Sequence, residues 1–372
     1  MKILYLPLIP TQIVSEDSPD YDKIGDYTVD TLFHGLRSIL GNQIIDGYRM
    51  WHMYQDADPD KLKNTWGKGF TTYGTLPPMD FDRDEMGFYD DLSRRIEMKD
   101  FTYIICPIHH TLNGKFNEVH HALISLLEIY EPHRIALIDG WDRFEMDRKI
   151  AKKAPYFKTQ FSDKNEDVAK PISFSLPKEK IRNPLERSFD FAPLVPAFMH
   201  FDDPHQESYI YEDEDQYYQD YQKSYFGYIC KKGREPEMNE SWVTMRHYEV
   251  LANGCMPFFT DVEKCPKNAL FAYPKELCIK AKKLKGVYPG TKEPYDPKKD
   301  TFIGTSKYIL PGKDRGHIDF DEFDLNEYNN LNEEFIEYTK THLTTEAMAS
   351  YFMNEITNTG TRELVSRHGY AD

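Results

Sequence analysis

One stretch, residues 241–261, constrains the fold of this chain more than any other. It reads SWVTMRHYEVLANGCMPFFTD, and the apolar residues of its first half recur at helical spacing, namely Met245, Tyr248, Leu251 and Ala252. Gly254 follows where a left-handed residue commonly ends a helix, and residues 255–259 have the apolar character of a short buried strand. The stretch therefore predicts a helix, a tight turn and a strand in direct succession.

Arg246 and Glu249 lie three residues apart in this predicted helix, so they share one of its faces, beside the apolar stripe. The helix thus displays a cation and a carboxylate together. Taken alone, such a pair is most often an exposed ion pair that contributes about 0.2–0.5 kcal/mol. The residues that follow the pair favour a binding site instead.

The order of those residues resembles the C-terminal half of GT-B glycosyltransferases, in particular the exostosin-like group. In that group an Arg-x-x-Glu helix precedes a small residue, Gly-Cys-x-Pro and a hydrophobic strand, and a Cys-Pro-Lys-Asn sequence often follows, as at residues 265–268 here. The matching residues are Arg246, Glu249, Gly254, Cys255, Pro257 and Asp261. The resemblance implies an α/β protein with the GT-B fold, in which two Rossmann-like domains face each other across a cleft.

The resemblance also implies roles in a nucleotide-sugar pocket. Glu249 would accept hydrogen bonds from the donor ribose, and Arg246 would face the diphosphate or the sugar. These residue types suit the roles, because a carboxylate only accepts hydrogen bonds and a guanidinium matches the geometry of phosphate. Many GT-B enzymes carry a second glutamate eight residues earlier, where this chain has Ser241. A sugar contact made by that glutamate is therefore not implied here.

A basic turn precedes the helix. Residues 224–230 read as a strand, and Lys231 and Lys232 follow it directly. In the resembling enzymes this turn and the helix N-terminus hold the diphosphate, and free N–H groups there favour an anion. The alternative is a solvated lysine turn. The expected donor site comprises Lys231, Lys232, Arg246, Glu249 and Gly254.

The N-terminal half predicts alternating strands and helices. Apolar runs at residues 101–107 and 134–139 read as strands, and a helical pattern at residues 117–130 lies between them. Strand, helix and strand at this spacing imply a right-handed parallel crossover. Ligands in such sheets bind at the carboxyl ends of the strands. The residues placed there are His109, His110, Asp139 and Asp142.

Three segments follow from these patterns and from the resemblance. Residues 1–185 form an N-terminal Rossmann-like domain on the acceptor side. Residues 186–345 form the C-terminal domain that binds the nucleotide sugar. A helix within residues 346–372 returns to the N-terminal domain.

The predicted helix over residues 26–42 supplies two candidates for a general base, His34 and Asp26, since an acceptor hydroxyl must lose a proton as it attacks. The alternative for His34 is an ordinary helix residue held by local hydrogen bonds. Two aromatic segments, residues 66–74 and 209–225, are also open to two interpretations. Residues 66–74 form either an aromatic platform for the acceptor or a set of turns and core residues. Residues 209–225 form either a helix or an irregular segment that faces the acceptor.

Composition narrows the function classes. The formal net charge of -16 argues against a nucleic-acid partner, because phosphate neutralisation needs a basic surface. No apolar run is long enough to span a bilayer, and residues 1–10 lack the flanks of a signal peptide. The five cysteines show no C-x-x-C spacing, which argues for a reducing compartment and against a zinc site. The chain therefore looks like the cytoplasmic bacterial or large-virus members of the group.

The expected function is that of a glycosyltransferase in glycan biosynthesis. It would move a sugar from a nucleotide diphosphate sugar to a hydroxyl of a glycan acceptor. A UDP-sugar is favoured over a GDP-sugar as the donor. No metal and no cofactor is expected, and Arg246 joins His34 and Asp26 as a catalytic candidate because it would stabilise the leaving diphosphate. Two alternatives remain: a non-catalytic carbohydrate-binding or scaffold protein, and a nucleotide-sugar epimerase or phosphorylase on the same fold.

Overall fold

The structure is a computed structural model that describes residues 1–8, 25–47, 50–78, 88–108, 116–141, 143–193, 211–231, 241–289 and 316–367. The chain divides into two compact units. The first unit comprises Met1–Pro177, Lys267–Phe271 and Thr345–Asp372, and the second comprises Lys178–Pro266 and Ala272–Thr344. The first division falls a few residues before the expected boundary at residue 185.

The strands, in chain order, are β1 (Ile3–Tyr5), β2 (Ile44–Asp46), β3 (Tyr103–Ile108), β4 (Ile135–Asp139), β5 (Tyr156–Lys158), β6 (Lys170–Pro171), β7 (Phe189–Phe191), β8 (Ser224–Ile229), β9 (Met256–Phe259), β10 (Val287–Pro289) and β11 (Gly316–Ile318). The helices are α1 (Tyr27–Leu40), α2 (Pro59–Leu62), α3 (Phe88–Glu97), α4 (Phe116–Leu127), α5 (Arg148–Ala151), α6 (Glu214–Gln222), α7 (Met245–Ala252), α8 (Lys275–Ala281), α9 (Leu325–His342) and α10 (Thr345–Arg367). Parallel strands alternate with helices in both units, which confirms the α/β class.

A six-stranded parallel sheet forms the centre of the first unit, in the order β2-β1-β3-β4-β5-β6. The chain adds β2 on one side of β1 and then continues on the other side with β3. This reversal is the switch point of a doubly wound sheet, where ligands bind outside the carboxyl ends of the strands. The predicted crossover from β3 through α4 to β4 is confirmed.

Helices cover both faces of this sheet. Leu4 of β1 packs into a cluster with residues of α3 and α4, while Tyr5, which points the opposite way, packs its ring 5.1 Å from that of Phe33 in α1. On the α1 side lies α10, whose Phe352 ring is 4.7 Å from that of Phe157 in β5. The C-terminal helix thus belongs to the core of the first unit.

The second unit has a smaller parallel sheet in the order β7-β8-β9 and an antiparallel pair, β10 and β11. Helix α7 joins β8 to β9, so the predicted helix, turn and strand are confirmed. Helix α6 lies in the second aromatic segment, and its Tyr217, Tyr218 and Tyr221 are buried. Of the two interpretations of that segment, the helix is confirmed.

Within the described residues, no helix combines the length and the apolarity that crossing a bilayer requires.

Candidate functional site

The carboxyl edge of the sheet in the second unit carries the predicted donor residues. Strands β8 and β9 are parallel and α7 connects them, so α7 must begin at the edge where β8 ends. Lys231 follows the end of β8, and its Nζ lies 5.6 Å from the centroid of the Trp242 ring. Arg246 is the second residue of α7. Lys231 and Arg246 therefore belong to one edge of one sheet.

The N-terminus of α7 also lies at this edge. Thr244 precedes the helix in an extended conformation, and its side chain makes no capping hydrogen bond. The N–H of His247 donates to the carbonyl oxygen of Thr244 over 3.2 Å. The positive end of the helix dipole favours an anion at this N-terminus. The helix dipole and the Arg246 side chain both place positive charge at this edge. The edge is suited to bind a negatively charged group.

His247 fixes the first turn of α7 to the end of β8. Its ring is buried, and Nε2–H donates to the carbonyl oxygen of Cys230 over 3.1 Å. Burial lowers the pKa of His247 to about 3, so the imidazole is neutral at physiological pH. A neutral ring adds no positive charge to this edge. The charge there is carried by Lys231 and Arg246.

Glu249 lies inside the second unit rather than on an exposed face. It is 1% exposed, and its Oε2 accepts a hydrogen bond of 2.6 Å from the hydroxyl of Tyr217 in α6. The expected display of Arg246 and Glu249 together on the helix surface is therefore wrong, and so is the alternative of an exposed ion pair. Both side chains still act on the hydroxyl of Tyr221. Burial raises the pKa of Tyr221, the charge of Arg246 lowers it in part, and the charge of Glu249 raises it further.

Gly254 ends α7 in the left-handed conformation that the sequence predicts, with φ of 60°. Its N–H donates to the carbonyl oxygen of Leu251, and the next N–H donates to that of Val250, which is the Schellman arrangement. A Cβ at position 254 would stand 2.9 Å from Cδ of Pro184. The glycine therefore serves the turn. A contact between Gly254 and a nucleotide stays a prediction.

Asp26 caps the N-terminus of α1 in the first unit. Its Oδ1 accepts hydrogen bonds from the N–H groups of Thr28 and Val29, over 3.0 and 3.3 Å. Its Oδ2 makes no hydrogen bond within the described part of the chain, and it faces Gly140, where a Cβ would stand 2.1 Å away. The residue as a whole is partly exposed. Asp26 thus offers one oxygen at the carboxyl edge of the sheet.

The surroundings of Asp26 raise its pKa from 3.8 to about 7, first through burial and next through the charge of Asp30. Asp139 raises it further, while the two N–H bonds of the helix cap lower it. A carboxyl group with a pKa near 7 can exchange a proton at physiological pH, as a general base requires. The role of Asp26 as one of the two candidate bases stays a prediction.

A buried polar group lies behind Asp26. Asp30 Oδ2 accepts hydrogen bonds from the Tyr73 hydroxyl and from the N–H of Asp26, both 2.9 Å long, and Oδ1 lies 3.2 Å from Nε2 of His52. Asp30, His52 and Tyr73 are all buried. Tyr73 therefore belongs to the interior, in line with the core interpretation of residues 66–74. Sequence reasoning missed this group, although a polar residue on the buried face of α1 was a signal for it.

His34 lies two turns after Asp26 in α1 and is not part of the buried group of Asp30, His52 and Tyr73. It is 2% exposed, and its Nδ1 lies 2.8 Å from Oγ1 of Thr345 at the start of α10. The contact joins two helices of the core, as an ordinary structural residue does. The partner in this hydrogen bond is distant in the sequence, whereas the interpretation from the sequence considered local hydrogen bonds.

Asp139 ends β4 and forms an ion pair with Lys158 of β5, at 3.0 Å between Oδ2 and Nζ. Asp139 was placed at the carboxyl edge from the sequence, and the structure confirms that position. Lys158 was missed, because one lysine in a short strand carries no distinctive pattern. The remaining candidates, Lys232, His109, His110 and Asp142, lie outside the described residues.

Among the described residues, no three His, Cys, Asp or Glu side chains are grouped so that they could hold a metal ion. All five cysteines are free, and four of them are buried. Comparisons with protein-family models, with curated proteins and with solved structures gave no significant match.

Proposed function

We propose that this chain is a glycosyltransferase of the GT-B type, which moves a sugar from a nucleotide diphosphate sugar to a hydroxyl of a glycan acceptor. The proposal assigns the donor to the second unit and the acceptor to the first. The observation that carries it is the edge formed by Lys231, Arg246 and the N-terminus of α7. A parallel sheet, an N-terminus without a side-chain cap and two cations together favour a diphosphate.

In the proposed donor site, Arg246 and Lys231 neutralise the diphosphate as it leaves. Charge develops on the leaving oxygen when the bond from the anomeric carbon to phosphate breaks. Donors that are already oriented toward that oxygen lower the barrier, since they need no rearrangement during the step. This is the role that a metal ion has in other phosphate-leaving reactions. The proposed reaction is therefore independent of added metal.

In the proposed acceptor site, Asp26 is the base. The acceptor oxygen forms a bond to the anomeric carbon, its proton passes to Oδ2 of Asp26, and the nucleoside diphosphate departs with the bonding electrons. The pKa of Asp26, about 7, permits the carboxylate to accept that proton and release it to water afterwards. This course inverts the anomeric centre. His34 is a weaker candidate because its ring nitrogen is engaged with Thr345 inside the core.

Glu249 has a supporting place in the proposal. Its hydrogen bond with Tyr217 joins α7 to α6 and so holds the helix that carries Arg246. A ribose contact by Glu249 stays a prediction. Glu249→Gln tests it, because an amide keeps the shape of the side chain while removing half of its acceptor capacity.

The test is calorimetric titration of the wild type with UDP, GDP and their common sugars, with and without EDTA. We expect one nucleotide diphosphate to bind independently of EDTA, and Arg246→Ala to weaken that binding about 10- to 100-fold, the cost of losing a hydrogen bond to a charged group. Lys264→Ala is the matched control, because its side chain lies in the same unit and is 80% exposed. It should bind like the wild type.

Turnover completes the test. Release of nucleoside diphosphate should depend on an added glycan acceptor and disappear in Asp26→Asn. Binding without release would favour a carbohydrate-binding or scaffold protein, and conversion of the donor without an acceptor would favour an epimerase. If no nucleotide diphosphate binds the wild type, the donor site in the second unit is wrong.

A further inference from the structure

The ion pair between Asp139 and Lys158 lies at the carboxyl ends of β4 and β5, where the two residues are register partners in the ladder. The Lys158 side chain is 0% exposed and that of Asp139 is 7% exposed. Removing two charges from water is costly, and apolar residues of the same volume often stabilise a fold as well or better. Stability alone therefore does not account for a buried pair at this edge.

Both partners of the pair also bind the backbone of one residue, Trp141. Asp139 Oδ1 accepts a hydrogen bond of 3.0 Å from the Trp141 N–H, and Lys158 Nζ donates one of 3.1 Å to the Trp141 carbonyl oxygen. The hydroxyl of Tyr156 donates to Asp139 Oδ2 and so orients the carboxylate. The pair therefore fixes the two polar backbone groups of the residue that follows Gly140.

The segment held in this way borders Asp26. A Cβ at position 140 would stand 2.1 Å from Oδ2 of Asp26, so only glycine permits the carboxylate to lie where it does. The Trp141 side chain is partly exposed, and the guanidinium of Arg143 lies 5.2 Å from the centroid of its ring. A shift of residues 140 and 141 would change both the space around Asp26 and the position of the indole.

We propose that Asp139 and Lys158 are a positioning pair that holds Gly140 and Trp141 against Asp26, so that a sugar hydroxyl reaches Asp26 Oδ2 beside the indole of Trp141. The ligand class follows from the chemistry, since an aromatic ring next to a carboxyl group suits a ring that bears hydroxyl groups. This inference rests on the proposed function and adds the acceptor site to it. Neither member of the pair touches the acceptor.

The pair also sets the charge that Asp26 experiences. Among the described residues, the titratable groups that act on or respond to Asp26 include Asp30 on its own helix, Asp139 on β4, Tyr5 on β1 and Tyr73. Asp139 raises the pKa of Asp26, and Lys158 lies against Asp139 and balances its charge. Loss of the lysine charge should therefore raise the pKa of Asp26, and loss of the aspartate charge should lower it.

The test compares Lys158→Met, Asp139→Asn and the double variant with the wild type. The pKa of Asp26 is measured by carbon-13 NMR titration of its carboxyl group, which Asp26→Asn assigns. We expect a rise of about one unit in Lys158→Met and a fall of about one unit in Asp139→Asn. The pH at half-maximal kcat should move in the same directions. If the pair were merely structural, both single variants would be less stable, but the pKa of Asp26 and the pH at half-maximal kcat would not shift in opposite directions between them.

The double variant separates positioning from charge. It leaves no unpaired buried charge, so it remains informative if the single variants do not fold. We expect its Asp26 pKa to return near the wild-type value while kcat stays about tenfold lower, because Trp141 has lost the lysine that held its carbonyl oxygen. The KM for the donor should not change. Wild-type kcat in the double variant would overturn the inference.

Lys170→Met is the matched control. It removes an ion pair with Glu355 from the neighbouring strand β6, away from Gly140 and Trp141. It should leave the pKa of Asp26 unchanged. Opposite pKa shifts in the two single variants together with no glycosyl transfer would reject the proposed function and keep the electrostatic effect of the pair on Asp26. Glycosyl transfer without those pKa shifts would support the proposed function and reject the role of the pair.

Discussion

The backbone of Gly35 in α1 lies so close to the carbonyl oxygen of Thr345 in α10 that a Cβ at position 35 would stand 1.9 Å from that oxygen. The two helices pack at this distance because residue 35 has no side chain. His34, one residue earlier, forms its hydrogen bond with the hydroxyl of the same threonine. One turn of α1 and the first residue of α10 therefore define how these helices meet in the core of the first unit.

Gly35→Ala should destabilise the protein by about 1–3 kcal/mol, the usual cost of an overpacked core. Alanine favours a helix interior by about 1 kcal/mol over glycine, but the clash is with a backbone oxygen that cannot rotate away, so the clash dominates. Urea unfolding measures the change. Gly41→Ala is the control, because a Cβ there meets nothing within 4 Å and only the φ of 56° opposes it. A Gly35→Ala variant as stable as the wild type would show that the close approach has no energetic importance.

Thr345→Val should lower the free energy of unfolding by about 1 kcal/mol, since it removes the hydroxyl that pairs with His34 Nδ1 at 2.8 Å. If His34 is structural, as this contact indicates, turnover at saturating substrate and its pH dependence should stay at wild-type values. The measurement is a pH profile of kcat beside a chemical unfolding curve. A shifted profile at unchanged stability would instead make His34 the base.

Asp26→Asn should become more favourable for stability as the pH rises. The folded chain holds a proton on Asp26 up to a pKa of about 7, whereas the same group has a value of 3.8 without the fold. Between these values only the folded chain binds the proton, so wild-type stability falls as the pH rises from about 4 to about 7. Asparagine also caps helices well but does not titrate.

We expect the advantage of Asp26→Asn to grow by about 1–2 kcal/mol across this window, which is less than the full pKa difference because the residue as a whole is partly exposed. Unfolding free energies at several pH values between 4 and 8 measure it. Asp324→Asn, which changes the exposed cap of α9, is the control. An advantage of Asp26→Asn that is constant over pH would rule out the raised pKa.

Tyr217→Phe should cost about 1.5–3 kcal/mol, because it removes a hydrogen bond to the buried carboxylate of Glu249. Tyr338→Phe removes a hydroxyl that donates to the neutral carbonyl oxygen of Ala272 at a partly exposed position, and about 0.5–1.5 kcal/mol is expected there. Thermal unfolding of both variants gives the comparison. If Tyr338→Phe were the more damaging change, Glu249 would not depend on Tyr217.

Local patterns in the sequence predicted what local physics determines. The helix, left-handed glycine and strand from Met245 to Phe259 follow from spacing and from one glycine, and the structure confirms all three. The crossover from β3 to β4 follows from apolar runs of the right length.

The burial of Glu249 was not predictable in the same way, since it depends on a tyrosine in another helix. Lys158 meets Asp139 only because the register of β4 and β5 places them side by side. His34 finds its partner at residue 345, across most of the chain. In each case the partner is fixed by tertiary packing, which a helical or strand period does not reveal.

The first unit is assembled from three separate segments of the chain, and α10, which packs beside α1, belongs to the last of them. A ribosome therefore finishes the whole second unit before it has made the residues that complete the first. Until then, the face of α1 around Gly35 has no partner helix to cover it. A truncated protein of residues 1–177 would lack α10, so that face of α1 would be exposed to solvent. We expect such a protein to aggregate.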